Sequence, residues 1–161
     1  MDRSHPQEWS PARDPDVEAG RTPSPGDPVT AHLDALAGGD GTDLGTDLGT
    51  GLAAGVTLDL VQTGEVVLGH EAVTVVFAEL HRQAFRARTT VRSRTVQGDQ
   101  TVVEATFSGR HVAEFAGIPP MGTEVTVPYV LAYETVGETI VAIRAYLPFG
   151  ELIRQLRGEG A

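Results

Sequence analysis

Residues 124–147 read EVTVPYVLAYETVGETIVAIRAYL. β-Branched and aromatic residues fill both halves, and Val136-Gly137-Glu138 between them has the chemistry of a tight turn, so the stretch predicts two antiparallel strands, 124–134 and 139–147. On the first, Tyr129, Leu131 and Tyr133 share one face by period-two alternation. Two further β-rich runs lie upstream, 87–96 and 101–115, joined by Gln97-Gly98-Asp99. The second is separated from residue 124 by Pro119-Pro120-Met121-Gly122, read as another turn. Four such runs in succession make an antiparallel meander.

Before the meander the period changes. In His70 to Phe85, Val73, Val76, Phe77, Leu80 and Ala84 fall on one helical face. VTLDLV at 56–61 reads as a strand, and QTGEVVLG after it as a turn plus a short strand. Asp27-Pro28 is an N-cap followed by proline at the first helical position. Val29, His32, Leu33 and Leu36 then repeat at helical spacing until Gly38-Gly39. FGELIRQL, residues 149–156, is a final amphipathic segment. Helices first and a meander afterwards define an α+β class, with helices covering one face of a curved sheet.

The ends and one connection differ in character. Residues 1–27 are rich in proline, charge and serine without apolar periodicity, and too little surface is available for burial to offset ordering entropy, so a disordered tail is expected there and the domain at 28–158. Residues 41–48 repeat Gly-Thr-Asp-Leu. Asp40, Asp43 and Asp47 suggest a calcium loop, but the twelfth position from Asp40, where a bidentate Glu is needed, is Gly51. A lax connection is the expectation.

Composition removes several chemistries. The chain has no Cys, no Lys and no Asn. Disulfides, thiolate nucleophiles, Schiff-base lysines and phosphate-binding Walker loops are excluded. A formal net charge of −10 opposes a nucleic-acid partner. The arginines at 82, 86, 88, 92 and 94 lie close together, and pairing with carboxylates on a solvated face is the expectation. No histidine pair has metal-ligand spacing, so neither a metal nor another cofactor is expected. There is no apolar run of the roughly 18 residues that span a membrane, and MDRSHPQEWS lacks the apolar core of a secretory signal, so a cytoplasmic protein without a membrane partner is expected.

GHEAV at 69–73, SGRHVAEFAGIPPMGTEV at 108–125, the strand–turn–strand YVLAYETVGETIVAIRAY and LIRQL together resemble the SnoaL-like polyketide cyclases of the NTF2-like superfamily, over roughly residues 28–157. The resemblance implies a cone: a strongly bent antiparallel sheet wrapped round N-terminal helices, with an apolar pocket. It implies cyclase or isomerase chemistry of secondary metabolism, including antibiotic biosynthesis, on a hydrophobic polyketide-like small molecule, and a homodimer. The family's last long strand carries a His and an Asp facing the cavity. The matching positions here are Ile143 and Ala145, and a further family Asp falls at Pro148.

The resemblance places Asp59 where ketosteroid isomerases of this fold keep a general base. Between Leu58 and Leu60, a desolvated carboxyl would suit proton abstraction beside a carbonyl, and an Asp bonded to the following turn is the plainer alternative. Tyr129 and Tyr133 are candidates to stabilise a developing oxyanion, or are buried phenols with satisfied hydroxyls. His111, Leu131, Val141, Ile143, Ala145 and Leu147 are the expected substrate-lining set. Arg144 alternates away from Ile143 and Ala145, which turns it toward Glu104 or Glu134; a one-residue slip would send it into the cavity. Two functions stand open: a cyclase or isomerase working largely by holding a flexible chain near its reactive conformer, and a non-catalytic binding or dimerisation module.

Overall fold

The computed structural model describes residues 27–38 and 48–158. The proline-rich tail and the Gly-Thr-Asp-Leu repeat lie outside the described residues, apart from Asp27 and Leu48.

The first helix, α1 (Pro28–Ala37), starts as its sequence dictates. Asp27 accepts from the Val29 amide at 3.3 Å and from the Thr30 hydroxyl at 3.0 Å, and it also forms an ion pair with Arg94. Burial raises the Asp27 pKa, but Arg94, Thr30 and the Val29 amide outweigh it and hold the carboxyl below its usual range. Strand β1 (Leu52–Leu60) begins earlier than the run 56–61, and β2 (Glu65–Leu68) folds back on it. Helix α2 covers His70–Ala78. The long strands β3 (Phe85–Gln97), β4 (Gln100–His111), β5 (Glu124–Val136) and β6 (Thr139–Tyr146) form the meander, and α3 (Phe149–Leu156) closes the domain.

The six strands are ordered β2-β1-β6-β5-β4-β3. All neighbours are antiparallel except β1 and β6, which run parallel, so the sheet is mixed. Bulges interrupt β3 at Arg92, between Val91 and Ser93, and β6 at Val141, opposite Glu134 and Thr135, a device that bends and twists strands. The stretch 112–123 is not strand: it is a connection pinned by paired Phe115 and Ile118, and Pro119–Gly122 runs through it without forming a turn. At Gly109, a β-carbon would lie 2.6 Å from the Arg86 carbonyl oxygen and the Ala87 Cα, so β3 and β4 approach as closely as they do only because no side chain stands there.

Alternation gives the sheet two unlike faces. On β3, Phe85, Ala87 and Thr89 are buried while Arg86, Arg88 and Thr90 are exposed. The buried face continues through Phe107, Val127, Leu131, Ile143 and Leu58, and α1 and α2 cover it. The opposite, open face carries the charges. Arg144 lies there, donating to Glu134 at 2.6 Å, as its strand alternation predicts.

Candidate functional site

The buried face contains an enclosed set of polar side chains. His32 on α1, His81 after α2, Thr89 on β3, and Tyr129 and Tyr133 on β5 are all at most 4% exposed. Two features place the histidines inside. His32 belongs to the Val29–Leu33–Leu36 stripe that α1 presses against the sheet. His81 sits in a π-helical turn, Glu79–Gln83, that continues α2 and closes with the Ala84 amide donating to the Glu79 carbonyl at 2.7 Å. His81, four residues after Phe77 and eight after Val73, keeps to the same buried face, and Leu80 beside it is half-buried. Such π turns recur at functional sites.

The protonation of His81 follows from its partners. Nδ1 lies 3.0 Å from the Phe77 carbonyl oxygen, which only accepts, so this nitrogen carries the proton. Nε2 is then an acceptor, 3.3 Å from the Tyr129 hydroxyl and 3.4 Å from that of Thr89, and the two hydroxyls are themselves in hydrogen-bond contact. His32 Nδ1 and the Tyr133 hydroxyl share a second bond at 2.9 Å. Phe77 stands between the two imidazoles, with ring centroids 4.8 Å from His32 and 6.0 Å from His81.

Burial neutralises this interior. It drives His81 down to about 4, with the Phe77 carbonyl opposing in part. It drives His32 down to about 3, with His81 adding to the effect and the Leu48 backbone opposing it. The same loss of solvent pushes both phenols well above their ordinary value, against the hydrogen bond from Thr89 in the case of Tyr129. At neutral pH the cluster is therefore two uncharged imidazoles and two protonated phenols. Among the described residues, the buried polar side chains include no carboxylate.

Asp59 is not part of the cluster. Leu58 is buried, so the half-buried Asp59 that follows it projects from the open face, where its register partner on β6 is Arg144. The structure puts it across the sheet from both phenols. His111 is buried at the end of β4, its ring tilted against Phe85 with centroids 5.2 Å apart, and its Nε2 has no hydrogen-bond partner among the described residues. Leu131, Ile143, Ala145 and Leu147 are packed in the core, and Val141 is half-buried. These side chains share one buried cluster with the aromatic rings of Phe77 and Phe107.

The sequence pattern of SnoaL-like polyketide cyclases matches residues 50–156. The chain belongs to the SnoaL-like polyketide cyclase family. A structure described as a SnoaL-like polyketide cyclase from Jannaschia sp. CCS1 is 25% identical to this SnoaL-like protein, with a TM-score of 0.71 over 85% of this chain and 97% of the other. A structure described as a polyketide cyclase from Xanthomonas campestris is 21% identical, with a TM-score of 0.65 over 80% of this chain and 93% of the other. A protein of ketosteroid isomerase-like fold from Catenulispora acidiphila, in complex with trimethylamine, is 26% identical, with a TM-score of 0.56 over 73% and 82%. No curated protein matches the sequence. The fold is thus the α+β, NTF2-like one that the motifs implied.

Against the family's His and Asp on the last strand, this SnoaL-like protein has buried Ile143 and Ala145. The histidines of its buried cluster with the two tyrosines are His32 on α1 and His81 in the π turn. Two sequence signals pointed to them: His32 inside an apolar helical stripe, and His81 four residues after Phe77. The π turn itself has no signature in the residues.

Proposed function

We propose that this chain is a SnoaL-like enzyme that cyclises or isomerises a hydrophobic polyketide-like molecule by proton transfer, with Tyr129 and His81 as the proton-handling pair. The observation that carries this reading is the fixed tautomer of His81: its Nε2 lone pair faces a phenol that burial keeps protonated. As a carbonyl enolises, the neutral His81 Nε2 takes the proton from the activated carbon and the Tyr129 hydroxyl donates its hydrogen bond to the oxyanion that forms; return of that proton from Nε2 to the product carbon or oxygen restores the pair. Thr89 holds the Tyr129 oxygen in position. The apolar surroundings of Phe107, Leu131 and Ile143 favour an uncharged substrate and strengthen each hydrogen bond made inside.

Proton exchange at the activated carbon of a neutral 1,3-diketone, followed by NMR in deuterated water, tests this without the natural substrate. The native protein should accelerate exchange, and Tyr129→Phe should lower the acceleration by about 10²–10³-fold while leaving the melting transition in place. Binding of the diketone without any acceleration would overturn the enzymatic reading. The second reading, a binding module that uses the same interior, is favoured by the lack of a carboxylate among the buried polar side chains described, and that outcome would support it.

A further inference from the structure

Four of the five clustered arginines divide into two pairs once folded. Arg94 pairs with Asp27, and Arg82 caps α1 by donating to the carbonyls of Ala35 at 2.8 Å and Gly38 at 3.4 Å. Arg86 and Arg88 have no carboxylate partner among the described residues. They are on the open face of β3, and Arg110 stands directly opposite Arg86 on β4. Like charges directly opposite on neighbouring strands repel and weaken the pairing. The three line one groove of about 600 Å³ together with the Ser108 hydroxyl and Glu124, which pairs with Arg110 at 3.3 Å.

From this convergence we infer an anion-binding site for a phosphate monoester carried on a small organic molecule. Three guanidinium groups against one carboxylate leave a residual charge of +2 on a chain whose formal net charge is −10. That matches the charge of a phosphate monoester near neutral pH. Guanidinium forks donate in pairs to phosphate oxygens, and the Ser108 hydroxyl adds another donor. The volume falls within the usual range for a whole small ligand, so the groove has room for the organic part as well. The site is on the face opposite the histidine–tyrosine interior and does not depend on the reading of that interior.

NMR titration of isotope-labelled protein with phenyl phosphate and with inorganic phosphate, at ionic strength matched by sodium chloride, tests the site. Saturable shifts should centre on residues 86–88 and 108–110, with phenyl phosphate bound more tightly than inorganic phosphate. Arg86→Gln with Arg88→Gln should weaken binding by about tenfold or more. Glu124→Gln should strengthen it, an effect that a damaged fold does not produce. Shifts that never saturate, or equal binding by the double variant, would overturn the site, and equal affinity for the two probes would overturn the organic ester. A double variant that leaves phosphate binding intact but splits a dimer in sedimentation would also overturn it, since the arginines would then serve contact between copies.

Discussion

The two faces of one sheet solve opposite electrostatic problems with alternate residues of the same strands. Toward the helices, Thr89, Tyr129 and Tyr133 meet His32 and His81, and every group is held uncharged by loss of water. Away from the helices, Arg86, Arg88, Arg110 and Arg144 stand in or near solvent, where a carboxylate or an anion has to answer them. Ionisable residue types alone therefore say little about where charge resides in this molecule. The face does.

The contrast is sharpest in packing. Leu131→Ala removes a fully buried side chain between Tyr129 and Tyr133 and should cost about 2–5 kcal/mol. Its neighbour Val130, on the other face, should cost less than about 1 kcal/mol on the same truncation. Denaturant unfolding of both variants checks the pair, and equal losses would break the two-face description.

Acid comes next. His32 and His81 have folded-state values of about 3 and 4, below the ordinary 6.5, so protonation favours the unfolded chain. Their contribution is intact above about pH 6.5 and is lost as pH falls toward 4, at a slope on the order of 1 kcal/mol per pH unit for each ring. Stability measured from pH 7 to 5 should show this slope, and His32→Gln should flatten it by about half; an unchanged slope would place the sensitivity elsewhere. On the open face the effect is smallest. Arg144→Ala breaks a partly exposed pair with Glu134 and should change stability by no more than about 1 kcal/mol, less at high salt.

Much of the fold was legible because its signals are local. The proline after Asp27 and the alternation of β5 and β6 each specify their element without distant help, and the side chosen by Arg144 follows from strand parity. The parallel pairing of β1 with β6 was not legible, since it joins distant segments and leaves no pattern in either. The site was half legible. Tyr129 and Tyr133 announced themselves by spacing, but Asp59 was drawn inward by the family's example, whereas its parity with buried Leu58 sends it out. His81 lies four residues after Phe77, so helical spacing marks its face, but residue type does not record the π turn that carries it.

The parallel contact between β1 and β6 also orders the assembly of the chain in time. The meander β3–β6 is built from successive neighbours and can zip as each strand is made, but β1 must wait for the last strand before it gains its central partner. Until then β1 has only the short β2 beside it, and Val56 and Leu58 stay uncovered by β6. A newly made chain is thus most exposed to wrong associations along its oldest strand, and the sheet is sealed by its youngest.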